Sequence, residues 1–264
     1  MIALIDTHCH LDFEAFDVDR INVLERARQI GVQKILNPGI DLASSQDAIR
    51  LAETNEIVFA AVGLHPNSPN IDEYKLEQIK KLSEHPKVVA IGEIGLDYYR
   101  EYNDRNLQKN IFYQQLKLAA ELKLPVIVHN RQADEDIEDI LQEWCEQLTN
   151  MNSPLVGRPG VLHSFSSGYN FAQRMIQRDF FIGISGPITF KNAVDIRQLV
   201  ESLDLGKILI ETDAPFLTPY PYRGKRNEPG HVIYIAKKIA EIHKLNVEEI
   251  ASITNRNAGI LFNW

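Results

Sequence analysis

Cysteine is nearly absent from this chain, whose 264 residues include only two, Cys9 and Cys145. Two cysteines do not make a disulfide framework, and a reducing compartment is the simpler expectation. The first residues have neither the basic start nor the apolar stretch of a secretion signal, and no segment approaches the length of a membrane helix. We therefore expect a soluble cytoplasmic protein with no membrane partner.

An excess of positive charge is also lacking. Lysine and arginine number 28 against 36 aspartate and glutamate residues, so the formal net charge is -8. A broad basic face that would follow a nucleic-acid duplex by counterion release is therefore excluded. Any phosphate-containing substrate has to be held by a local group of cations.

The chain does contain eight short runs rich in branched apolar residues. Runs that are almost continuously apolar are typical of strands covered on both faces in a parallel sheet. In chain order they read IALIDTH, VQKILNPG, IVFAAVGLH, KVVAIGEIG, LPVIVHN, GVLHSFS, FFIGISG and KILIETD. Segments with helical periodicity lie between most of them. This alternation predicts an α/β fold of the (β/α)8 TIM-barrel type, with residues 1–264 forming a single domain.

Three later segments complete the predicted organisation. The stretch HVIYIAKKIAEIHKLNVEEIASITNRNAGILF predicts two helices with a break near Leu245 and Asn246. The stretch APFLTPYPYRGKRNEPG predicts a long loop after the eighth strand, and loops of that length are often functional. The connection over residues 149–160 is predicted to be a surface loop, and its sequence indicates no role for it.

Polar residues end most of the predicted strands, and in barrel enzymes the active site lies at those carboxyl ends. Six of the eight histidines, all except His85 and His243, are expected at this end of the barrel. The residues in question at the strand ends are Asp6, His8, His10, His65, Glu93, His129, His163, Glu211 and Asp213.

A single histidine or acid at a strand end is often a structural residue held by hydrogen bonds or by an opposite charge. Several imidazoles and carboxylates on one rim are better explained by a cation that they share. His8 and His10 lie two residues apart on a strand, so both side chains can face one metal ion. Two ions about 3.5 to 4 Å apart, bridged by a carboxylate such as that of Glu93, accommodate more ligands than one ion can. The ligand types leave zinc, manganese, nickel and magnesium open.

At these residues the chain resembles the TatD family of metal-dependent deoxyribonucleases. The motifs DTHCHLDF, VGLHP, GEIGLDYY, PVIVHNR, LHSFSS, ETDAPFLTP, RGKRNEP and NRNAGILF carry the resemblance over essentially the whole chain. The family pattern implies one metal held by His8, His10, Glu93 and Asp213, and a second held by Glu93, His129 and His163. The chain departs from the pattern in HNR and HSFSS, where the family more often has HSR and HCFSG, which bears on fine substrate preference.

The resemblance implies a phosphodiester of DNA as substrate. Two divalent ions would bring the pKa of a bridging water toward neutrality, and Asp213 could orient that water and accept its proton. His65 either donates to a phosphate oxygen or leaving group, or bonds a neighbouring carboxylate. Tyr98 and Tyr99 either stack on a base or pack at the rim. The candidate substrate contacts are Arg131, Arg223, Lys225 and Arg226. The last three either neutralise phosphate charge or belong to a solvated loop held by surface acids.

Because a broad basic face is lacking, we expect action on single strands or duplex ends, as a 3′–5′ exonuclease. The alternative is a metal-dependent hydrolase of an ester, amide or lactone, such as an aminoacyl-tRNA deacylase. The three clustered basic residues of the loop after the eighth strand, Arg223, Lys225 and Arg226, favour a phosphate substrate.

Overall fold

The computed structural model describes residues 2–69, 72–100 and 102–264. Within them, eight parallel strands pair in the order β1 to β8. The strands are β1 (Leu4–Asp6), β2 (Val32–Pro38), β3 (Val58–Val62), β4 (Val88–Asp97), β5 (Val126–Arg131), β6 (Gly160–Leu162), β7 (Phe181–Ile184) and β8 (Ile208–Ile210).

Helices follow the strands around the outside. They are α1 (Arg20–Ile30), α2 (Leu42–Thr54), α3 (Glu73–Leu82), α4 (Arg105–Leu122), α5 (Asp134–Asn150), α6 (Tyr169–Gln177), α7 (Val194–Ser202), α8 (Val232–His243) and α9 (Val247–Phe262). The predicted break near Leu245 and Asn246 is confirmed. Lys244 ends α8 in the left-handed region, and Asn246 caps α9 by accepting a hydrogen bond from the Glu249 N–H.

Backbone hydrogen bonds beyond the ends of β1 and β8 bring the first and last strands together. The Thr7 N–H donates to the Ile210 carbonyl, and the Asp213 N–H donates to the His8 carbonyl at 2.8 Å. The predicted (β/α)8 barrel is therefore confirmed. Its closure places the residues after β8 directly beside those after β1.

One apolar cluster takes a residue from each of the eight strands, and such residues can meet only along the barrel axis. The ends of α9 and of the chain pack on this cluster through Leu261, Phe262 and Trp264. A second, larger cluster lies between the strands and the helices. These apolar side chains fill the rest of the barrel interior, and the buried polar side chains of the strands lie at their carboxyl ends.

None of the helices in the described part of the chain is long and apolar enough to cross a membrane.

Candidate metal centre

Seven side chains converge at the carboxyl end of the barrel. All are buried or nearly so, with side-chain exposures of 0 to 17%. They come from six strands or the residues just after them, and each was expected from its position in the sequence. They are His8, His10, His65, Glu93, His129, His163 and Asp213.

The sixth histidine expected at this end does not join the group. The ring of His231 stacks on Tyr222 at 4.6 Å, and its Nδ1 lies 2.9 Å from Asn227 Oδ1. His231 thus helps to order the start of α8, and five histidines rather than six surround Glu93.

Glu93 reaches this position because β4 passes very close to β5. Gly95 adopts φ +141°, and a Cβ at this residue would lie 2.0 Å from the His129 carbonyl oxygen. Only glycine permits that approach without strain. The two glycines of GEIG therefore let the Glu93 carboxylate lie against the His129 ring.

One oxygen of Glu93 belongs to a first set of four atoms. Its Oε2 lies 3.4 Å from His8 Nε2 and 3.6 Å from His10 Nε2. The two ring nitrogens are 3.2 Å apart, and each lies 3.7 Å from Asp213 Oδ1. Ligands of a tetrahedral zinc ion at about 2.0 to 2.2 Å are separated by about 3.3 to 3.6 Å. The spacing of this set therefore fits a divalent cation.

The tautomer of His10 supports the same conclusion. Its Nδ1 lies 3.2 Å from the Pro38 carbonyl, which can only accept, so this nitrogen carries the proton. Burial lowers the pKa of His10 to about 4, so the ring is neutral at pH 7 and Nε2 bears a lone pair. That lone pair faces the oxygens of two carboxylates, an arrangement that a cation between them would stabilise.

The other oxygen of Glu93 belongs to a second set. Its Oε1 lies 2.9 Å from His129 Nδ1 and 2.8 Å from His163 Nε2, and these nitrogens are 3.3 Å apart. Burial favours a neutral His163 ring, but the Glu93 carboxylate outweighs it and raises the pKa of His163 to about 9. The close contacts are those of a protonated ring on a carboxylate, and a metal ion would replace that proton.

His65 also approaches Glu93 Oε1, with its Nε2 at 3.4 Å. Its Nδ1 accepts a hydrogen bond from the Asn67 N–H at 3.0 Å. A neutral ring with an accepting Nδ1 carries its proton on Nε2, which makes Nε2 a donor rather than a ligand. Burial lowers the pKa of His65, so the neutral form is favoured. The structure thus separates His65 from the four other histidines.

Asp97, which was not predicted as a site residue, contacts the His129 ring at Nε2, the nitrogen that does not face Glu93. Its Oδ2 lies 3.4 Å from His129 Nε2 and accepts a hydrogen bond from Asn67 at 2.7 Å. Its Oδ1 accepts the N–H groups of Tyr99 and Arg100. Burial opposes ionisation, but the ion pair with His129 and the hydrogen bonds from Arg100 and Asn67 lower the pKa of Asp97. A carboxylate on Nε2 leaves Nδ1 free to bind metal. The position of Asp97 four residues after Glu93 was the available signal.

Of the two carboxylates in the first set, that of Asp213 is the more exposed to the cavity. Its side chain is 14% exposed, and that of Glu93 is 4% exposed. Burial raises the pKa of Asp213 to about 7. A carboxylate with a pKa near neutrality can take up a proton at working pH. Glu211, two residues earlier, is fully buried and accepts a hydrogen bond from the Ser164 N–H.

A cavity of about 1140 Å³ opens above the seven side chains. Among the described residues that line the cavity, two are basic, and these are Arg100 and Arg131. Arg131, a predicted substrate contact, is therefore at the cavity, and Arg100 joins it. Arg100 has no feature in the sequence that marks it as a site residue.

The structure does not bring the predicted cluster of Arg223, Lys225 and Arg226 to this wall. Arg226 donates to both oxygens of Asp19, at 2.7 and 2.8 Å, and also to Glu228. The guanidinium of Arg223 lies 3.8 Å from the centre of the Phe190 ring. Lys225 is exposed outside the cavity. The loop is fastened by its own contacts, so closeness in sequence did not put these cations beside the ligands.

The two tyrosines after Glu93 have different surroundings. The Tyr98 hydroxyl donates to Asp136 at 2.5 Å, so this ring is a packing residue. Tyr99 is 58% exposed, and the guanidinium of Arg131 lies 4.0 Å from its ring centre. Tyr99 helps to orient Arg131.

Comparisons with known proteins identify proteins that are similar to this chain in sequence and structure. The family model described as TatD related DNase matches residues 5–263. A Bacillus subtilis protein described as the uncharacterized metal-dependent hydrolase YabD is 43% identical, with 98% of each chain covered. The crystal structure of YjjV, a TatD homolog from Escherichia coli, is 34% identical over 99% of this chain and 98% of that one, with a TM-score of 0.91. An amidohydrolase structure from Saccharomyces cerevisiae, 21% identical over 99% of this chain and 100% of that one with a TM-score of 0.85, shares the fold.

Proposed function

Because the chain belongs to the family of TatD-related DNases, we propose that it is a divalent-metal-dependent hydrolase that removes nucleotides from the 3′ ends of DNA strands. The observation that carries this proposal is the position of Glu93 between two groups of ligand atoms. Its Oε2 faces His8 and His10, and its Oε1 faces His129 and His163.

In this proposal His8, His10, Glu93 and Asp213 hold one cation, and Glu93, His129 and His163 hold the other. Bound divalent cations supply Lewis-acid activation of water and neutralise charge on a phosphoryl group. Three groups of candidate ligands lie among the described residues, and two of them consist only of the ligands proposed here. The third combines Glu93 and His129 with His65, which is assigned as a donor. The choice among zinc, manganese, nickel and magnesium belongs to experiment.

The remaining groups have separate tasks. Asp213 orients the attacking water and accepts its proton, because it is the more exposed of the two carboxylates in the first set. His65 donates from Nε2 to a phosphoryl oxygen, because its Nδ1 is already occupied by the Asn67 N–H. Arg131 and Arg100 bind phosphates of the strand at the mouth of the cavity.

The shape and charge of the molecule support an unpaired strand end as substrate. A net charge of -8 gives duplex DNA no broad basic face to follow. A cavity with two arginines on its wall can hold the end of one strand. The phosphate between the last two nucleotides then lies over the metal centre.

The test compares substrates and variants on metal-loaded protein. Single-stranded DNA labelled at either end, blunt duplex, a phosphodiester dye, and ester and amide dyes are assayed, with metal content measured across the four divalent ions. We expect mononucleotides to be released from the 3′ end. Hydrolysis of the ester or amide dyes alone would overturn the proposal.

Glu93→Gln removes the shared carboxylate and is expected to lower both metal content and activity at least a hundredfold. Glu84→Gln is the matched control, because Glu84 is exposed in the turn between α3 and β4 and does not line the cavity. Full activity in Glu93→Gln would exclude a reaction that depends on both sets of ligands.

A further inference from the structure

The cavity has two sides of different chemistry. The side formed after β4 and β5 carries Arg100 and Arg131. The other side is formed by residues 164–169, between β6 and α6, and by α7 with the residues just before it. Among the described residues of this second side, none is a lysine or an arginine, and Asp195 is an acid. A phosphate would therefore be repelled on this side and attracted on the first.

Helix α7 gives the second side its length. Asp195, Gln198, Leu199 and Ser202 line the cavity, and their spacing of three, four and seven residues puts them on one face of the helix. Seven residues of helix span about 10 Å. This side of the cavity is thus longer than the space that a phosphate and two cations would occupy.

The groups on the second side suit a flat, neutral, polar ring. Tyr169 is 47% exposed at the start of α6 and lines the cavity. Asn192 and Gln198 are exposed amides, each with two donors and an acceptor. An exposed aromatic ring binds the face of a nucleobase, and amides match the hydrogen-bonding edge of a base.

The loop that carries Tyr169 is held in place. Ser167 Oγ donates to Asp134 Oδ1 at 2.7 Å, and Asn130 Nδ2 donates to the same oxygen at 2.7 Å. Asn130 follows His129, and Ser167 lies two residues before Tyr169. The loop after β6 is thereby tied to the β5 segment that carries a ligand, so Tyr169 keeps its place relative to the metal centre.

We propose that this side of the cavity is a subsite for one unpaired nucleobase, that of the terminal nucleotide. Tyr169 stacks on the base, and Asn192 and Gln198 face its edge. The strand then leaves past Arg131 and Arg100, on the opposite side of the metal centre. This inference rests on the proposed function and adds that a base engaged in a duplex cannot enter.

The first experiment removes the base. An oligonucleotide with an abasic 3′-terminal sugar is compared with the intact one in metal-loaded protein. Since stacking on an aromatic side chain contributes strongly to single-strand binding, we expect base removal to raise KM by about 5- to 100-fold. Tyr169→Ala should raise KM for the intact strand similarly and remove most of the difference between the two substrates. Tyr169→Phe should retain that difference.

Tyr113→Ala is the matched control, because Tyr113 is a comparably exposed tyrosine on α4 that does not line the cavity. Equal KM values for the two substrates in the native protein would overturn the subsite. An undiminished difference in Tyr169→Ala would overturn it as well.

The second experiment needs no turnover and separates the subsite from the proposed function. Fluorescence quenching of 2-aminopurine deoxynucleoside monophosphate is measured with native protein, Tyr169→Ala and Gln198→Ala. Saturable quenching that both variants weaken supports the subsite, and quenching unchanged by either contradicts it. Absence of phosphodiester cleavage in the first experiment contradicts the proposed function separately.

Discussion

The histidines around Glu93 differ in which ring nitrogen is free, and that difference follows from single hydrogen bonds. The Pro38 carbonyl takes the Nδ1 proton of His10 and leaves its Nε2 for a metal ion. The Asn67 N–H occupies Nδ1 of His65 and leaves its Nε2 as a donor. Residues of one type thus become ligand or donor according to the partner behind the ring.

Asp97→Asn tests this at His129. The amide retains an oxygen for the N–H groups of Tyr99 and Arg100 but can put a donor against His129 Nε2–H and Asn67 Nδ2. We expect metal affinity to fall about 10- to 100-fold, as for other partners of metal-binding histidines. Competitive chelator titration measures the affinity.

Asp179→Asn is the control for this change, because Asp179 pairs with Lys207 on the surface before β7. Equal affinities of Asp97→Asn and native protein, with both folded by circular dichroism, would show that Asp97 does not orient His129 for metal.

Metal binding should release protons, because His163 and Glu93 share a proton that a metal ion replaces. The pKa of His163 is raised to about 9, so its ring is protonated at pH 7 and neutral well above pH 9. Metal binds the neutral ring. Apparent affinity should therefore rise with pH up to about 9. Calorimetry in buffers of different ionisation enthalpy should detect at least one proton released at pH 7, since the Asp213 carboxyl is also partly protonated there, and fewer at pH 9.5. Release that is equal at the two pH values would count against this assignment.

Helix α4 positions two of the segments that carry site residues. Gln115, fully buried, accepts from the Leu64 N–H at 2.7 Å and donates to the Leu64 carbonyl at 2.9 Å. Gln108, two turns earlier, makes the same pair of bonds to Asp97. These side chains continue the backbone pairing where β3 and β4 end, so they fix His65 and Asp97.

Gln115→Leu should destabilise the protein by about 2 to 4 kcal/mol, because it leaves a buried N–H and a buried carbonyl without partners. Urea unfolding of the metal-free protein measures the change. Gln114→Leu, at the neighbouring exposed position, should stay within about 0.5 kcal/mol of the native protein. Equal stabilities of the two variants would contradict this role of Gln115.

At the scale of the whole molecule, charge and shape act together. The protein carries a net charge of -8, while two arginines line the described cavity wall. In the proposed function these two arginines attract the substrate strand, while the net charge of the molecule opposes its approach. We therefore propose strand ends rather than long duplex as the substrate.

The salt dependence of binding tests that view. Two phosphate contacts on a single strand predict a slope of about -1.4 for log K against log salt concentration. Arg131→Gln should reduce the slope by about 0.7. Lys225→Gln is the control, since Lys225 is exposed outside the cavity. A slope of about -5, which corresponds to about seven phosphate contacts, would contradict a site with two arginines. An equal loss in Lys225→Gln would instead assign part of the binding to the loop after β8.

The barrel and the ring of candidate ligands were predictable because both follow from local pattern and from one topological rule. Apolar runs mark the strands, and the carboxyl ends of parallel strands meet at one end of a barrel. His8, His10, Glu93, His129, His163 and Asp213 therefore had to meet wherever the sheet closed. The exception was His231, which lies beyond the eighth strand and inside a loop with its own hydrogen bonds.

Sequence by itself determined the fold and the residues that surround Glu93. Only the tertiary structure decided which ring nitrogens are free, that Asp97 lies next to His129 Nε2, and that Arg100 rather than Arg223, Lys225 or Arg226 joins Arg131 at the cavity. The physical reason is the separation in sequence of the residues that interact. Strand periodicity depends on neighbouring residues, whereas a charged side chain pairs with any group that the fold brings near. Arg226, for example, pairs with Asp19, which is 207 residues away.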